Sequence, residues 1–414
     1  MGKLAITGGE KIALDLEKNI PRWPLGGPED KENLLKVLES RKWCRIYMGS
    51  MAEKFEKNFS QYHNAKYAIA TANGTVSLEL ALRTLGVRYG DEVIVPAVTF
   101  IATVSAVTEL GAIPVFADIN LETGCIDKNS IKSLITPKTK GVIGVHYGGY
   151  PIDFDVLLPL VKKYNLFLLE DAAHAQGTEW RGRKVGAIGD MSSFSFQESK
   201  SLASGEGGVV VSDKEELANK ARLIHNIGRA LGKPGYMHYI LSSNYRLSEF
   251  LGALLLSQLK KLPQETETKF QNGIFLKKEL RKIEGLLPLK EDIRITKRGY
   301  YFLALRYQKE VFGGIDRDKF VKALNAEGVP CGVGYGFPLY KNPAFKKENL
   351  EPLYAKGANL PNFESLFLPN SEKFCKEQIV IPHQVLLTDK KYLYLIPEAV
   401  KKIKENIDEL RSAL

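Results

Sequence analysis

Five short runs decide the fold: KYAIAT at 66–71, DEVIVP at 91–96, IPVFAD at 113–118, GVIGVHY at 141–147 and LFLLED at 166–171. Between them, at 75–85, 101–110, 127–134 and 153–164, lie amphipathic stretches with helical spacing. Strand, helix, strand, repeated, is the rhythm of βαβ units, which assemble into a mostly parallel sheet. The runs are nearly all apolar rather than alternating, as strands covered by helices on both faces must be. Several end in a polar residue or a proline at the carboxyl end, where ligands of such sheets gather.

The pattern changes after Gly208. VVVSD at 209–213 reads as one more strand, 213–223 as a helix, and RLSEFLGALLLSQLKK at 246–261 as an apolar helix running up to Pro263. A boundary is expected there, dividing a large domain at 1–262, which includes the N-terminal segment, from a smaller C-terminal α+β domain at 263–414. The smaller domain should hold a charged helix at about 264–284, a strand YYFLALRY at 300–307, a helix at 316–326, a strand near 330–335 and helices over 389–412. No internal repeat or low-complexity segment interrupts the chain.

With 414 residues, 44% apolar and 26% charged, the chain can bury a large core and keep a deep site between two lobes. The net charge of +10 raises the question of a polyanionic partner. The basic residues are scattered, in pairs such as Lys162-Lys163 and Lys346-Lys347, always among acids, so neither nucleic acid nor a membrane surface is expected as a partner. Cys44, Cys125, Cys331 and Cys375 lie far apart with no CxxC pair, so no metal site or disulfide framework is written locally. The opening MGKLAITGGEKIALDLEK lacks the basic head and apolar stretch of an export signal, and apolar runs such as 250–256 are too short to span a bilayer. A cytoplasmic location is expected.

Residues 193–208, SFSFQESKSLASGEGG, set one lysine between aromatic-serine alternations and a glycine-rich turn. A free lysine has a pKa of about 10.4 and is a poor nucleophile at neutral pH, but a partly desolvated one attacks an aldehyde and forms a Schiff base. Lys200 is thus the candidate nucleophile; taken alone it would be an ordinary lysine in a surface loop.

Other stretches supply the context. In LFLLEDAAHAQG at 166–177 an apolar run ends in Glu170-Asp171, with His174 and Gln176 beyond. A carboxylate at the buried end of a central strand needs a partner, and a protonated pyridine nitrogen would serve Asp171; an N-cap or a surface ion pair is the competing explanation. In TANGTVSLELALRTLG at 71–86 a strand turns through Asn73-Gly74-Thr75 directly into a helix, offering free backbone N–H groups and a positive dipole end to a phosphate, or simply a capped helix. Phe100, in PAVTFIATVSA at 96–106, could cover a flat ring or merely fill the core.

Together these motifs resemble the DegT/DnrJ/EryC1/StrS family of pyridoxal-phosphate sugar aminotransferases, of fold type I. The resemblance runs through NGTVSLELAL, DEVIVPAVTFIATVSAV, GAIPVFADI, VHYGG, EDAAHAQG, SFSFQESKSLASGEGG, SSNYRLSEFLGALLLSQL and YGFPLY, in order, over nearly the whole chain. It implies an α/β fold with a large, mostly parallel mixed sheet covered by helices, plus a smaller C-terminal α+β domain. It further implies pyridoxal 5'-phosphate on Lys200, which would also shuttle the proton, and Asp171 on the pyridine nitrogen. Gly74, Thr75 and Ser195 match the phosphate cup, Phe100 the stacking ring and His174 the polar residue beside it. Asn244, in SNYR, matches an asparagine that reaches the phosphate of the neighbouring subunit, so a homodimer with shared sites is implied.

Some dehydratases of the family carry histidine at the lysine position; this chain keeps Lys200, which favours transamination. The WPLGGP at 23–28, Asn73, FQ before ESK, and GYGFPLYKNPAF at 334–345 look most like the glutamine:scyllo-inosose aminotransferases and 3-amino-5-hydroxybenzoate synthases. The expected donor is L-glutamine or L-glutamate, and the expected acceptor a keto-cyclitol or keto-sugar. The alternatives are a nucleotide-linked keto-sugar aminotransferase and, from another class, a non-catalytic regulator that binds the cofactor. Tyr335, Tyr340 and His383 are the candidate acceptor contacts, each with a packing role as the rival explanation.

Overall fold

The computed structural model of the chain describes residues 2–230, 236–355 and 360–413. The five runs form strands β1 (Tyr67–Thr71), β2 (Glu92–Pro96), β3 (Ile113–Ala117), β4 (Thr139–Val145) and β5 (Phe167–Asp171). The short β6 (Glu179–Trp180) and β7 (Arg183–Lys184) precede β8 (Met191–Ser195) and β9 (Gly208–Ser212). A 7-stranded sheet runs in the order β1-β9-β8-β5-β4-β2-β3. Pairing is parallel from β8 through β3, while β9 runs against both its neighbours.

Side-chain alternation splits each strand between two cores. Ala68, Ala70, Ile94, Leu168, Val209 and Val211 enter one; Ile69, Val93, Val95, Leu169 and Val210 enter the other. The first is closed by Phe55 and Phe59 of the helix Met51–Tyr62 and by Leu157 and Val161 of Phe154–Lys163. The second is closed by Leu78 and Leu82 of the helix Gly74–Thr84 and by Val104 and Val107 of Ala102–Thr108. Each such side chain contributes roughly 1.5–3 kcal/mol by leaving water, which is why continuous apolar runs define this sheet.

The smaller lobe is built on β10 (Leu286–Pro288), β11 (Ile295–Lys297), β12 (Phe302–Tyr307) and β13 (Gln378–Pro382). Strands β10, β12 and β13 form an antiparallel sheet, while β11 joins β6 and β7. The helices Arg317–Ala326 and Leu395–Glu405 cover its core through Phe320, Leu324, Ile396 and Val400. Among the described residues no helix is long and apolar enough to cross a membrane.

The expected division at 262/263 needs correction in three places. One helix, Glu249–Leu280, runs unbroken through Pro263. Leu255, Leu259 and Leu262 are buried in the large-lobe core and Phe275, Leu276 and Leu280 in the small-lobe core, so packing on both sides outweighs the donor that the proline lacks. The N-terminal segment, expected with the large domain, sends Leu4, Ala13 and Leu16 into the small-lobe core. Conversely, Leu339, Tyr340, Phe345, Leu350 and Phe363 pack beside Phe116 of the large sheet. Apolar burial is non-directional, so spacing marks a segment as buried without saying which lobe receives it. The strand expected near 330–335 is reduced to an isolated bridge between Gly332 and Val380.

Candidate active site

Strands β1, β2, β4, β5 and β8 deliver their carboxyl ends to one edge of the sheet, where a cavity of about 910 Å³ opens against β12 and β13. Lys200, Asp171, Gly74, Thr75, Phe100, His174, Ser195, Tyr335 and His383 all line it. Among the described lining residues Lys200 is the one lysine or arginine, and Asp171 and Glu206 are the acids.

The turn that carries Lys200 is tied to itself and to its surroundings. Lys200 N donates to Gln197 O at 2.8 Å and Glu198 N to Gly205 O at 2.9 Å. Gln197 Oε1 accepts from Ser199 N at 2.9 Å and from Ser199 Oγ at 2.6 Å. From outside, Trp23 Nε1 donates to Glu198 O at 2.8 Å, His383 Nε2 lies 3.1 Å from Ser199 O, and the Tyr301 hydroxyl lies 2.9 Å from Ser199 Oγ. The Lys200 ammonium sits 4.3 Å from the centre of the Tyr301 ring. Burial pulls its pKa down to about 8, with Asp171 acting the other way. More of the lysine is therefore free amine at neutral pH than of an unperturbed one, which would be almost wholly protonated.

Glu170 and Asp171, consecutive on β5, face opposite ways. Glu170 is fully buried and accepts from Gly186 N at 2.6 Å, Ile188 N at 2.9 Å and Gly189 N at 2.5 Å, with His146 Nε2 at 3.1 Å. Burial would raise its pKa, but these donors hold it below the ordinary value. Asp171 looks into the cavity, accepting from Thr103 Oγ1 at 2.8 Å and Ala173 N at 3.2 Å, and Thr103 is held by Thr99 at 2.7 Å. Here burial wins and the carboxyl is pushed up. A buried acid short of positive charge fits a protonated ring nitrogen.

At the mouth of β1, Asn73 caps the helix Gly74–Thr84, its Oδ1 accepting from Val76 N at 3.0 Å. The amides of Gly74 and Thr75 lie ahead of the intrahelical ladder. A Cβ on Gly74 would stand 2.7 Å from Ser195 Cβ and 3.0 Å from Ser195 Oγ, so glycine is what lets the Ser195 hydroxyl close over the helix start. That cradle of amides, dipole and hydroxyl suits a phosphate. Phe100 leaves more than half its surface open beside it. His174 is buried, with Nδ1 3.4 Å from Gly148 N and its ring stacked on Tyr301 at 4.2 Å. Burial, and then the Lys200 charge, holds its pKa well below the ordinary value, so the imidazole is neutral.

Two expectations meet a different surrounding. Tyr340 does not reach the cavity: it is buried, its hydroxyl donating to Glu372 Oε1 at 2.7 Å and accepting from Leu368 N at 3.1 Å. It is an anchor, held there because a buried phenol must satisfy its hydroxyl. Asn244 is exposed and outside this chain's cavity, its side chain accepting from Arg246 N at 3.1 Å. The residues missed are Thr103, Tyr301, Ser199, Gln197 and Trp23. Thr99 and Thr103, two hydroxyls one helical turn apart after β2, were a readable signal for the first; Tyr301 comes from the other lobe, and no local pattern announces it.

A family model described as the DegT/DnrJ/EryC1/StrS aminotransferase family matches residues 25–399. An L-glutamine:2-deoxy-scyllo-inosose aminotransferase from Streptoalloteichus tenebrarius is 34% identical over 99% of this chain and 99% of its own length. The 3-amino-5-hydroxybenzoate synthase of Amycolatopsis mediterranei is 32% identical over 92% of this chain and 96% of its own length. A crystal structure of a 3-amino-5-hydroxybenzoic acid synthase superposes with a TM-score of 0.83 at 32% identity, covering 92% of this chain and 99% of that one.

Proposed function

The chain belongs to the DegT/DnrJ/EryC1/StrS aminotransferase family, and we propose that it carries pyridoxal 5'-phosphate on Lys200 and moves the amino group of L-glutamine or L-glutamate to a keto-cyclitol of the scyllo-inosose type. The observation that carries this reading is Lys200 with its lowered pKa in one cavity with Asp171 and the Gly74–Thr75–Ser195 cradle. When bound, the cofactor supplies an electron sink for the carbanion left as a donor carbon loses its proton.

The side chains divide the remaining work. Lys200 would bond the cofactor and, once displaced, would take and return the proton; a pKa lowered toward neutrality suits both directions of transfer. Asp171, which accepts from Thr103 and Ala173, would meet the ring nitrogen and favour its protonated form. Gly74, Thr75 and Ser195 would hold the phosphate, Phe100 would cover the ring and neutral His174 would lie beside it. Tyr335 remains the candidate acceptor contact. His383 lines the same cavity, but its Nε2 meets Ser199 O, which favours a role in holding the lysine turn.

A homodimer fits this reading. Among the described residues lining the cavity Lys200 is the one lysine or arginine, while the phosphate and the donor carboxylate would bring several negative charges. Exposed apolar residues gather in two stretches, Trp43 to Met48 and Tyr236 to Leu241, with Tyr236 93% and Leu241 96% open to solvent. The first stretch is bridged through Cys44 to Ser248, further along the segment that carries Asn244. Patches of this kind mark protein interfaces, and a second copy would cover them while bringing Asn244 to a neighbouring phosphate.

The test is to supply the cofactor-loaded protein with L-glutamine and, in separate reactions, 2-deoxy-scyllo-inosose, scyllo-inosose and a nucleotide-linked keto-sugar. An aminocyclitol product is expected. Amination of the nucleotide-linked sugar alone would overturn the acceptor, and cofactor binding with no amine transfer to any acceptor would favour a regulator.

A further inference from the structure

Resting on the reading above, Lys200 works in two conditions: bonded to the cofactor, and free while substrate occupies its place. The free amine needs a holder. Among the described residues lining the cavity the acids are Asp171, committed to the ring nitrogen, and the exposed Glu206. A carboxylate against the amine would also keep it charged and so unable to accept a proton. An aromatic face does less, favouring the cation by about one pH unit, and leaves proton transfer possible.

Tyr301 offers such a face, with the Lys200 ammonium 4.3 Å from its centre. The ring is fixed from several directions. His174 stacks on it at 4.2 Å with 21° between the planes. Its hydroxyl meets Ser199 Oγ, one residue before Lys200, at 2.9 Å. Its backbone donates to Gly148 O at 3.4 Å and accepts from His383 N at 3.2 Å. Because His174 is neutral, no second cation competes for the ring electrons.

We propose that Tyr301 is a positioning residue: its ring face is the resting place of the Lys200 amine when that amine is not bonded, and its hydroxyl, through Ser199, sets the turn from which the amine reaches the cofactor. The smaller lobe thereby controls a nucleophile carried by the larger one. In this role Tyr301 acts through Lys200.

The test uses the full-length cofactor-free Tyr301→Phe protein, then the same position carrying phenylalanines of increasing ring fluorination, which keep the shape and drain the ring face of electrons. Acetylation of Lys200 is followed against pH by peptide mass spectrometry. The other titratable groups lining the cavity are Asp171 from β5, His174 just after it, His383 beyond β13, Tyr147, Tyr335 and Glu206 on the glycine turn; they are constant across the series. The midpoint is expected to fall stepwise with fluorination, by about one pH unit in all. Tyr301→Phe and Ser199→Ala should each slow capture of pyridoxal 5'-phosphate several-fold while leaving the midpoint near that of wild type. A midpoint indifferent to fluorination would overturn the resting place, and capture at wild-type rate in both variants would overturn the role of the hydroxyl. Since the acetylation needs no cofactor or turnover, a stepwise fall in a protein that fails to transaminate would uphold the contact while rejecting the function, and the converse would do the opposite.

Discussion

Glu170 and Asp171 are neighbours on β5 whose carboxyls are displaced in opposite directions: backbone amides and His146 hold Glu170 below its ordinary pKa, and burial lifts Asp171 above its own. One step along a strand turns a side chain to the other face of the sheet. Glu170 is thereby left to tie the chain at 186–189 to the sheet, and Asp171 to meet a ligand.

Glu170 should support the fold at neutral pH. Its folded pKa is lowered from 4.5, so its contribution is complete above that value and is lost as pH falls through the folded pKa. Glu170→Gln is expected to cost about 3–5 kcal/mol at pH 7, because it strips charge from a site with buried donors. In thermal melts the gap between variant and wild type should narrow as pH drops below about 4.5.

Asp171 should behave in the reverse sense. An acid whose folded pKa is raised binds its proton more tightly when folded, so it weakens the fold as pH rises from about 3.8 through the folded value. Asp171→Asn in cofactor-free protein is therefore expected to melt higher than wild type at pH 7, while its transaminase turnover falls at least a hundredfold. A lower melting temperature would count against the pKa direction.

Thr103→Val removes a charge-assisted hydrogen bond from Asp171 and lets its pKa rise further. Such bonds contribute about 1.5–3 kcal/mol, so the dissociation constant for pyridoxal 5'-phosphate, measured by fluorescence titration, should rise roughly tenfold to a hundredfold.

The shared site has a direct genetic test. Lys200→Ala and Asn244→Ala should each give an inactive or crippled homodimer, and co-expression should restore activity, because a mixed dimer holds one site with both residues intact. Failure of the mixture to regain activity would leave Asn244 a local residue of its own chain.

The large sheet was readable because both faces are covered and each strand is an unbroken apolar run. Lys200, Asp171 and the turn at Asn73-Gly74 were readable because they sit at strand ends or turns, where polar residues interrupt those runs. The path of the helix Glu249–Leu280 through Pro263 was not, since a proline in sequence looks the same whether or not packing on both sides holds the helix together. Tyr340 beside GYGFP looked like a site residue and is an anchor for Glu372, whereas Tyr301, inside a run that reads only as a strand, lies against the nucleophile. Contacts between lobes depend on how separate stretches dock, and local spacing carries no record of that.

Lys200 is the proposed carrier of the cofactor, and an amino donor its means of release. Borohydride reduction of the protein loaded with pyridoxal 5'-phosphate, followed by peptide mass mapping, is expected to place the reduced cofactor on Lys200 alone, and prior incubation with excess L-glutamine should abolish that labelling. Label on another lysine, or label on Lys200 that no amino acid displaces, would contradict it.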